Sequence, residues 1–356
     1  MELSVYRAAD PDERARWLAA WSELPPGRRD AYFLPGYAHA AHRRGEALCA
    51  VARSGERLWL CAFLRAEIPG GEGLCDVETP YGYGGPVVND PGEDPTFLAG
   101  CWSAWSAWCR SAGVVAEFTR FHPLLENHRW ADPGTRVLPN RTTVPLELDR
   151  YPVAVFEDAY FRRHRNMIRK AERDGCRFET KSAAGEMAWF AELYARTQDR
   201  LGASEETRFG REYFEELASG LGERAWLGLV HTASGELGAA VLVIQGETLA
   251  HCHLMGDRRV AGSGGVTNLV YHGIALEAAR RGLRTLHMGG GRTADEDDSL
   301  FRFKVGLSPE RATFRIGTRC HDPEAYERLA RAWEARHGAR PVGYFLFYRL
   351  AGEARA

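Results

Sequence analysis

The stretch Asp257–Gly282, DRRVAGSGGVTNLVYHGIALEAARRG, decides the fold. An apolar strand, Leu249–Met255, runs into a glycine loop. A helix follows over Thr267–Arg281, closed by Gly282, and a strand comes next at Thr285–Met288. Glycines in such a loop let backbone N–H groups approach an anion, and the helix N-terminus favours negative charge. The competing reading is a plain mobile glycine loop. Upstream, strands are predicted at Trp226–His231 and Gly238–Gln245, helices near Glu186–Leu201 and Arg211–Ser219, a strand at Arg177–Lys181 and a helix at Ala159–Asp174. Helices alternating with antiparallel-compatible strands make an α+β unit, a mixed sheet flanked by helices.

The first block repeats that order more weakly. Asp10-Pro11 caps a helix with Trp17, Leu18 and Trp21 on one face. Strands follow at Leu48–Ala52 and Leu58–Leu64, a glycine-rich loop at Thr79–Pro95, and a helix at Thr96–Ser111 whose Trp102, Trp105 and Trp108 suit core packing. Val114–Phe118 and Thr143–Leu148 read as strands. Asp322-Pro323 opens a last helix before Gly338, and GYFLFYRL at Gly343–Leu350 reads as a final strand. The expected domains are 1–150 plus 322–356, and 151–321.

With 356 residues the chain can bury a large core without disulfides or metals. Lys+Arg 46 against Asp+Glu 48 exclude a uniformly basic nucleic-acid coat but allow a local basic face. No apolar run reaches membrane-span length, and the N-terminus lacks a secretory h-region. The eight cysteines contain no CxxC and sit in apolar strings, which suits reduced thiols and a cytoplasmic protein.

Four constellations could carry chemistry. In AYFRRHRNMIRKAERDG, Phe161–Arg173 holds six Lys/Arg and one acid; Arg162, Arg165, Arg169 and Arg173 share a helical face, with Lys170 beside them. Such a face suits a phosphate backbone, or is simply solvated. Within the loop above, Arg259, Gly262 and Gly264 fit R-x-x-G-x-G. In LHMGGGRTADEDDSLFRFKVGLSPE, a strand ends on three glycines, and Asp298 or Ser299 caps a short helix that sets Lys304 between Phe303 and Gly306. A buried ammonium there could stabilise developing negative charge. Gly289–Ala294 formally fits GxGxxA, but acids rather than a helix follow, which rejects a dinucleotide site. PYGYGGPVV places Tyr81 and Tyr83 among glycines, either lining a groove or making a rigid turn. His251-Cys252-His253 has no third ligand in the sequence, so no metal is expected. P-loop, GxSxG and HExxH motifs are missing.

Together the YGYGGPVV loop, the RRHRNMIRKAERDG helix, the LHMGGG strand and the DSLFRFKVGLSP segment ahead of an EAYERL helix resemble the Fem-type (FemABX) aminoacyltransferases, relatives of the Gcn5-related N-acetyltransferase (GNAT) fold. The resemblance spans most of the chain. It implies two tandem GNAT-like domains, with the C-terminal segment returning to the first, and transfer of an amino acid from aminoacyl-tRNA to an amine, forming an amide without a bound cofactor. Lys304 falls on the family's lysine in FK-x-G, which assists transfer. Tyr81, Gly84 and Gly85 fall in the loop bordering the acceptor groove. Here Gly84 replaces the arginine of many members, and His251 and His253 stand where members often carry tyrosines. These departures suit an acceptor smaller than a cell-wall precursor, such as a natural-product intermediate. Arg162, Arg165, Arg169, Lys170 and Arg173 would hold tRNA. Tyr83, Arg208, Arg211, Tyr213 and Phe303 are candidate substrate contacts, and His253 and Asp298 candidate bases. Two alternatives stand beside this: an acyl-CoA-dependent N-acyltransferase using Arg259, Gly262 and Gly264 for the pyrophosphate, and a catalytically inactive RNA-binding or scaffold protein.

Overall fold

A computed structural model describes residues 1–42, 45–90, 94–149, 155–204, 207–258 and 264–350. The chain divides into two compact units, one of residues 1–28, 32–140 and 314–356, the other of 29–31 and 141–313.

The first unit contains β1 (Glu2–Arg7), α1 (Pro11–Ser22), α2 (Pro35–Ala41), β2 (Glu46–Ser54), β3 (Arg57–Glu67), β4 (Cys75–Glu78), β5 (Val87–Val88), α3 (Pro95–Ser111) and β6 (Val114–Arg120). The Asp10 carboxylate caps α1 through the amides of Asp12 and Glu13. Trp17 and Trp21 are buried, but Leu18 faces solvent, because α1 buries only a narrow stripe. In the sheet, β1 to β4 pair antiparallel in order, β4 pairs parallel with β6, and β6 pairs antiparallel with β13 (Ala312–Cys320). α3 covers β1, β2, β3 and β6, with Trp105 and Trp108 stacked 5.1 Å apart.

α9 (Pro323–His337) packs on β6. The Gly343–Leu350 run is not a strand. Leu346, Phe347 and Tyr348 all bury into one cluster with Val115 and Ala325, which two-residue alternation cannot do, and the chain winds into a 3₁₀ turn at Phe347–Arg349.

The second unit begins inside β7 (Arg136–Glu147). There follow α4 (Arg162–Arg173), β8 (Arg177–Ser182), α5 (Met187–Leu201), α6 (Arg211–Leu221), β9 (Ala225–His231), β10 (Leu237–Gln245), β11 (Leu249–Asp257), α7 (Val266–Arg280), β12 (Thr285–Gly290) and α8 (Ser299–Val305). Strands β8 to β11 pair antiparallel in order, β11 pairs parallel with β12, and β12 antiparallel with β7.

The two sheets therefore share one plan: four strands antiparallel, a parallel fifth, an antiparallel sixth. In each, the sixth strand is the one that follows the other unit's fifth in the chain. The division consequently falls inside β7 and β13, at 140 and 313, where the sequence predicts 150 and 321. In the second unit Val241, Val243, Ala250, Leu286 and Met288 point into a core with Ile168 and Ala171 of α4 and the buried face of α7. α5 packs on β11, and α6 on β9.

Candidate functional site

Strands β11 and β12 form a fork. They pair at Leu249↔Thr285, Ala250↔Leu286 and His251↔His287, and then part, although β11 runs on to Asp257 and β12 to Gly290. Both arms are bent by bulges. In β11, Leu242 pairs with Leu254 and Val243 with Cys252, so His253 is the extra residue. In β12, the register to β7 slips between His287 and Gly290, where Gly289 takes φ +76°.

Lys304 lies at the β12 arm. The Asp298 side chain caps α8 by accepting from Leu300 and Phe301 N–H at 2.9 and 3.0 Å, which aims Lys304 inward; its Nζ donates to the Gly290 carbonyl at 2.7 Å. The side chain is 7% exposed. Burial pushes its pKa down to about 8, and Arg141 acts in the same direction. Arg141 itself donates to the carbonyls of Gly291 and Arg292, both at 3.2 Å. Cys252, on the other arm, feels the ammonium, but burial holds its thiol up at about 12, which keeps it inert. Buried Tyr271 of α7 and half-buried Phe303 pack 5.6 Å apart beside them.

Asp298 accepts two further backbone N–H bonds, from Arg292 and Thr293. Burial works against ionisation, yet these four donors hold its carboxylate below the usual range. That is the chemistry of a helix cap, and such a carboxylate is a poor base.

His253 meets a second predicted residue. Its Nε2 lies 2.6 Å from the Tyr213 hydroxyl of α6, and Phe209 stacks on Tyr213 at 4.2 Å. Burial, aided by His251, lowers the His253 pKa to about 3, so the ring is neutral and weakly basic. Arg208 instead pairs with Asp199, and exposed Arg211 with Glu215 of its own helix. His251 turns to Asp30, Nε2 to Oδ2 2.8 Å, so the two histidines of the triplet serve different partners.

The basic helix α4 packs against α7. On its outer side Arg165 donates to the Tyr160 carbonyl at 2.9 Å and to that of Glu157, while Arg169 pairs with the Glu157 carboxylate at 2.8 Å. Lys170 pairs with Asp174. Arg162 and Arg173 make no ion pair among the described residues. The inner side carries His164, which the sequence pattern does not single out. It is buried, 2.5 Å from Asn268 of α7 and 5.1 Å from the Phe303 ring, and burial lowers its pKa to about 4. A side chain at Gly306 would collide with it, and the Phe161 amide donates to the Gly306 carbonyl at 2.8 Å. The RRHR helix and the FK-x-G segment are thus one packed assembly. Of the R-x-x-G-x-G residues, Arg259 and Gly262 lie outside the described residues. Gly264 lies against Met167 and Lys170, at the start of α7.

In the first unit, the PYGYGG loop is rigid. Tyr37 donates to the Tyr81 carbonyl, Asn127 donates to those of Gly84 and Pro86 at 2.8 and 2.9 Å, and Tyr83 packs between Tyr32 and Phe314. A Cβ on Gly84 would lie 2.8 Å from the Thr79 side chain, so this backbone has no room for the arginine of Fem-type members.

Residues 159–305 match the model of the acetyltransferase (GNAT) domain. The second unit is a GNAT domain. The match covers the second unit, and the chain as a whole has a mixed α+β fold with a sheet flanked by helices. Its fold is similar to the crystal structure of FemX, with TM-score 0.70, 14% identity and 92% of this chain covering 99% of that one. It is also similar to L-PGS from Bacillus licheniformis, with TM-score 0.56, 13% identity and 88% of this chain covering 93% of that one. No curated protein matches the sequence. Among the described residues no helix is long and apolar enough to cross a membrane.

Proposed function

We propose that the chain transfers an amino acid from aminoacyl-tRNA to the amine of a small-molecule or peptidyl acceptor, forming an amide. The observation that carries this reading is Lys304, a buried ammonium held by the Gly290 carbonyl at one arm of the β11–β12 fork. An aminoacyl ester is already activated. Holding a neutral amine against its carbonyl supplies much of the acceleration. The tetrahedral oxyanion then needs donors, and the departing ribose oxygen a proton. Lys304 is the cation for that charge, with backbone N–H groups of the parted strands beside it. Arg162 and Arg173, together with Arg165, Arg169 and Lys170, would track acceptor-stem phosphates along α4. Tyr81, Tyr83 and Gly84 would border the acceptor, with no bound cofactor taking part.

A second reading, transfer from an acyl-CoA, is favoured by Gly264. It sets the start of α7 against Lys170, an arrangement that suits a pyrophosphate as well as an RNA phosphate. Filter retention of bulk radiolabelled aminoacyl-tRNA at low salt, with acetyl-CoA in excess, separates the two. Retention that survives acetyl-CoA and weakens with salt supports the tRNA donor. No retention at any salt removes it, and acetyl-CoA titration of the wild type and of Gly262→Val then tests the other donor.

A further inference from the structure

His164 stands where the basic helix meets the lysine segment, and the reading above gives it no part. It is 2% exposed. Its Nδ1 lies 2.5 Å from the side-chain amide of Asn268, in the first turn of α7, and its Nε2 accepts from Arg163 Nε at 3.3 Å. Both ring nitrogens are therefore engaged, and the plane of the imidazole is fixed from two sides. Burial keeps the ring neutral, so it is a weak base and its role is one of shape.

The end of α8 lies against that ring. Phe303 meets it edge to face at 5.1 Å. A Cβ at Gly306 would stand 2.2 Å from His164 Nε2, and the three atoms nearest to it all belong to the imidazole. Gly306 has φ −73°, which any residue adopts, so this glycine serves close approach rather than backbone freedom. Its carbonyl accepts from the Phe161 amide at 2.8 Å, so the start of α4 grips Gly306 by backbone and ring together. Lys304 belongs to the same turn: the Gly306 amide donates to the Phe303 carbonyl at 3.1 Å, and the Leu307 amide to the Lys304 carbonyl at 2.9 Å.

α8 has only seven residues, and a helix that short has little rigidity of its own. A slip of one residue would swing Lys304 by about 100° around the axis, away from the Gly290 carbonyl that now holds its Nζ at 2.7 Å. Two anchors set the helix: the Asp298 cap at its start, and the seat against His164 at its end.

We infer that His164 is the positioning residue of Lys304: its imidazole is the stop against which the Phe303–Gly306 turn seats, and it sets where the ammonium meets the fork. The inference rests on the acyl-transfer reading of Lys304. It assigns His164 no contact with donor or acceptor. It also accounts for the glycine of FK-x-G, which has no room for a side chain while the ring is there.

The test is a double-mutant cycle on the full-length protein, with bulk aminoacyl-tRNA or acetyl-CoA as donor and glycinamide as acceptor. His164→Ala and Gly306→Ala should each lower kcat on the order of 10-fold, leaving KM and filter retention of donor unchanged, and His164→Gln should recover part of the rate. In the His164→Ala background, Gly306→Ala should cost nothing further, because its methyl meets no ring. An equal cost in both backgrounds overturns the stop. Labelling by acetic anhydride across pH reads Lys304 without turnover. The chain has three lysines, Lys170, Lys181 and Lys304, and only Lys304 is buried. Its labelling midpoint should rise from about 8 towards its ordinary value of 10.5 in His164→Ala, with the other two unmoved. An unmoved Lys304 midpoint, or an unchanged kcat, in the folded variant overturns the positioning role and leaves the acyl-transfer reading standing. A wild type that discharges neither donor overturns that reading itself, while the labelling still tests the placement. Where His164→Ala fails to fold, Gly306→Ala and His164→Gln carry the same comparison.

Discussion

At the scale of single residues, burial decides what each ionisable group can do. Lys304 and Asp298 lie in one short segment, yet one is a desolvated cation and the other a saturated cap. Unfolded, Lys304 holds its proton to its ordinary value of 10.5; folded, it releases it near 8. Between those values unfolding takes up a proton, so this group makes stability rise with pH, by on the order of 3 kcal/mol across the window. The proposed transfer, which needs the ammonium, should run the other way and fall as pH passes through about 8. Lys304→Met should abolish activity and flatten its part of the stability rise; urea unfolding at pH 7 and 10 checks this. Asp298→Asn should keep most of the transfer rate, whereas Asp298→Ala should lose about 1 kcal/mol of stability with the cap. A collapse of rate in the Asn variant, with stability intact, would restore it as a base. The cap was legible from sequence, because capping is local. The depressed lysine was not, since its cause is the surroundings of a folded fork.

At the scale of elements, α4 shows how a charge pattern is edited by packing. The arginine face is plain in the sequence, but Glu157, one turn ahead of the helix, takes up Arg165 and Arg169. Glu157→Gln should therefore raise RNA affinity and steepen its salt dependence by about one to two counterions, while Arg162→Ala and Arg173→Ala should each reduce the slope by about one. Binding isotherms over a salt series measure both, and equal slopes in wild type and Glu157→Gln would show the pairing to be irrelevant to RNA. The buried side of the same helix carries His164 against Phe303 and Gly306. A lone histidine among arginines gives no sequence signal; Asn268, Phe303 and Gly306, which it packs against, lie 104 residues or more along the chain.

At the scale of the whole chain, the sixth strand of each sheet comes from beyond the other unit's fifth, and the C-terminus completes the first unit. There Arg349 ion-pairs with Asp76, whose side chain is fully buried, and with Glu78, which also holds Arg120 at 3.0 Å. Arg349→Met leaves a buried carboxylate without its partner. Stability should fall by about 3 kcal/mol or more, read as a lower unfolding midpoint, and Arg349→Lys should recover part of it. A midpoint unchanged in the Met variant would mean that the C-terminal turn is dispensable to the first unit.

Local chemistry was readable from the sequence alone: helix starts at Asp10, Asp298 and Asp322, the apolar strands, the glycine-ended strand and the arginine face. Each depends on neighbours within one or two turns of chain. Sequence patterning also brought out two α+β units and the resemblance that names Lys304. Which strands run parallel, where β11 and β12 part, and that Asp30 sits on His251 across 221 positions were decided only by tertiary structure. A strand's periodicity specifies which face is buried and says nothing of its partner. The fork and the groups around it are products of pairing, and pairing is set by the free energy of the whole sheet.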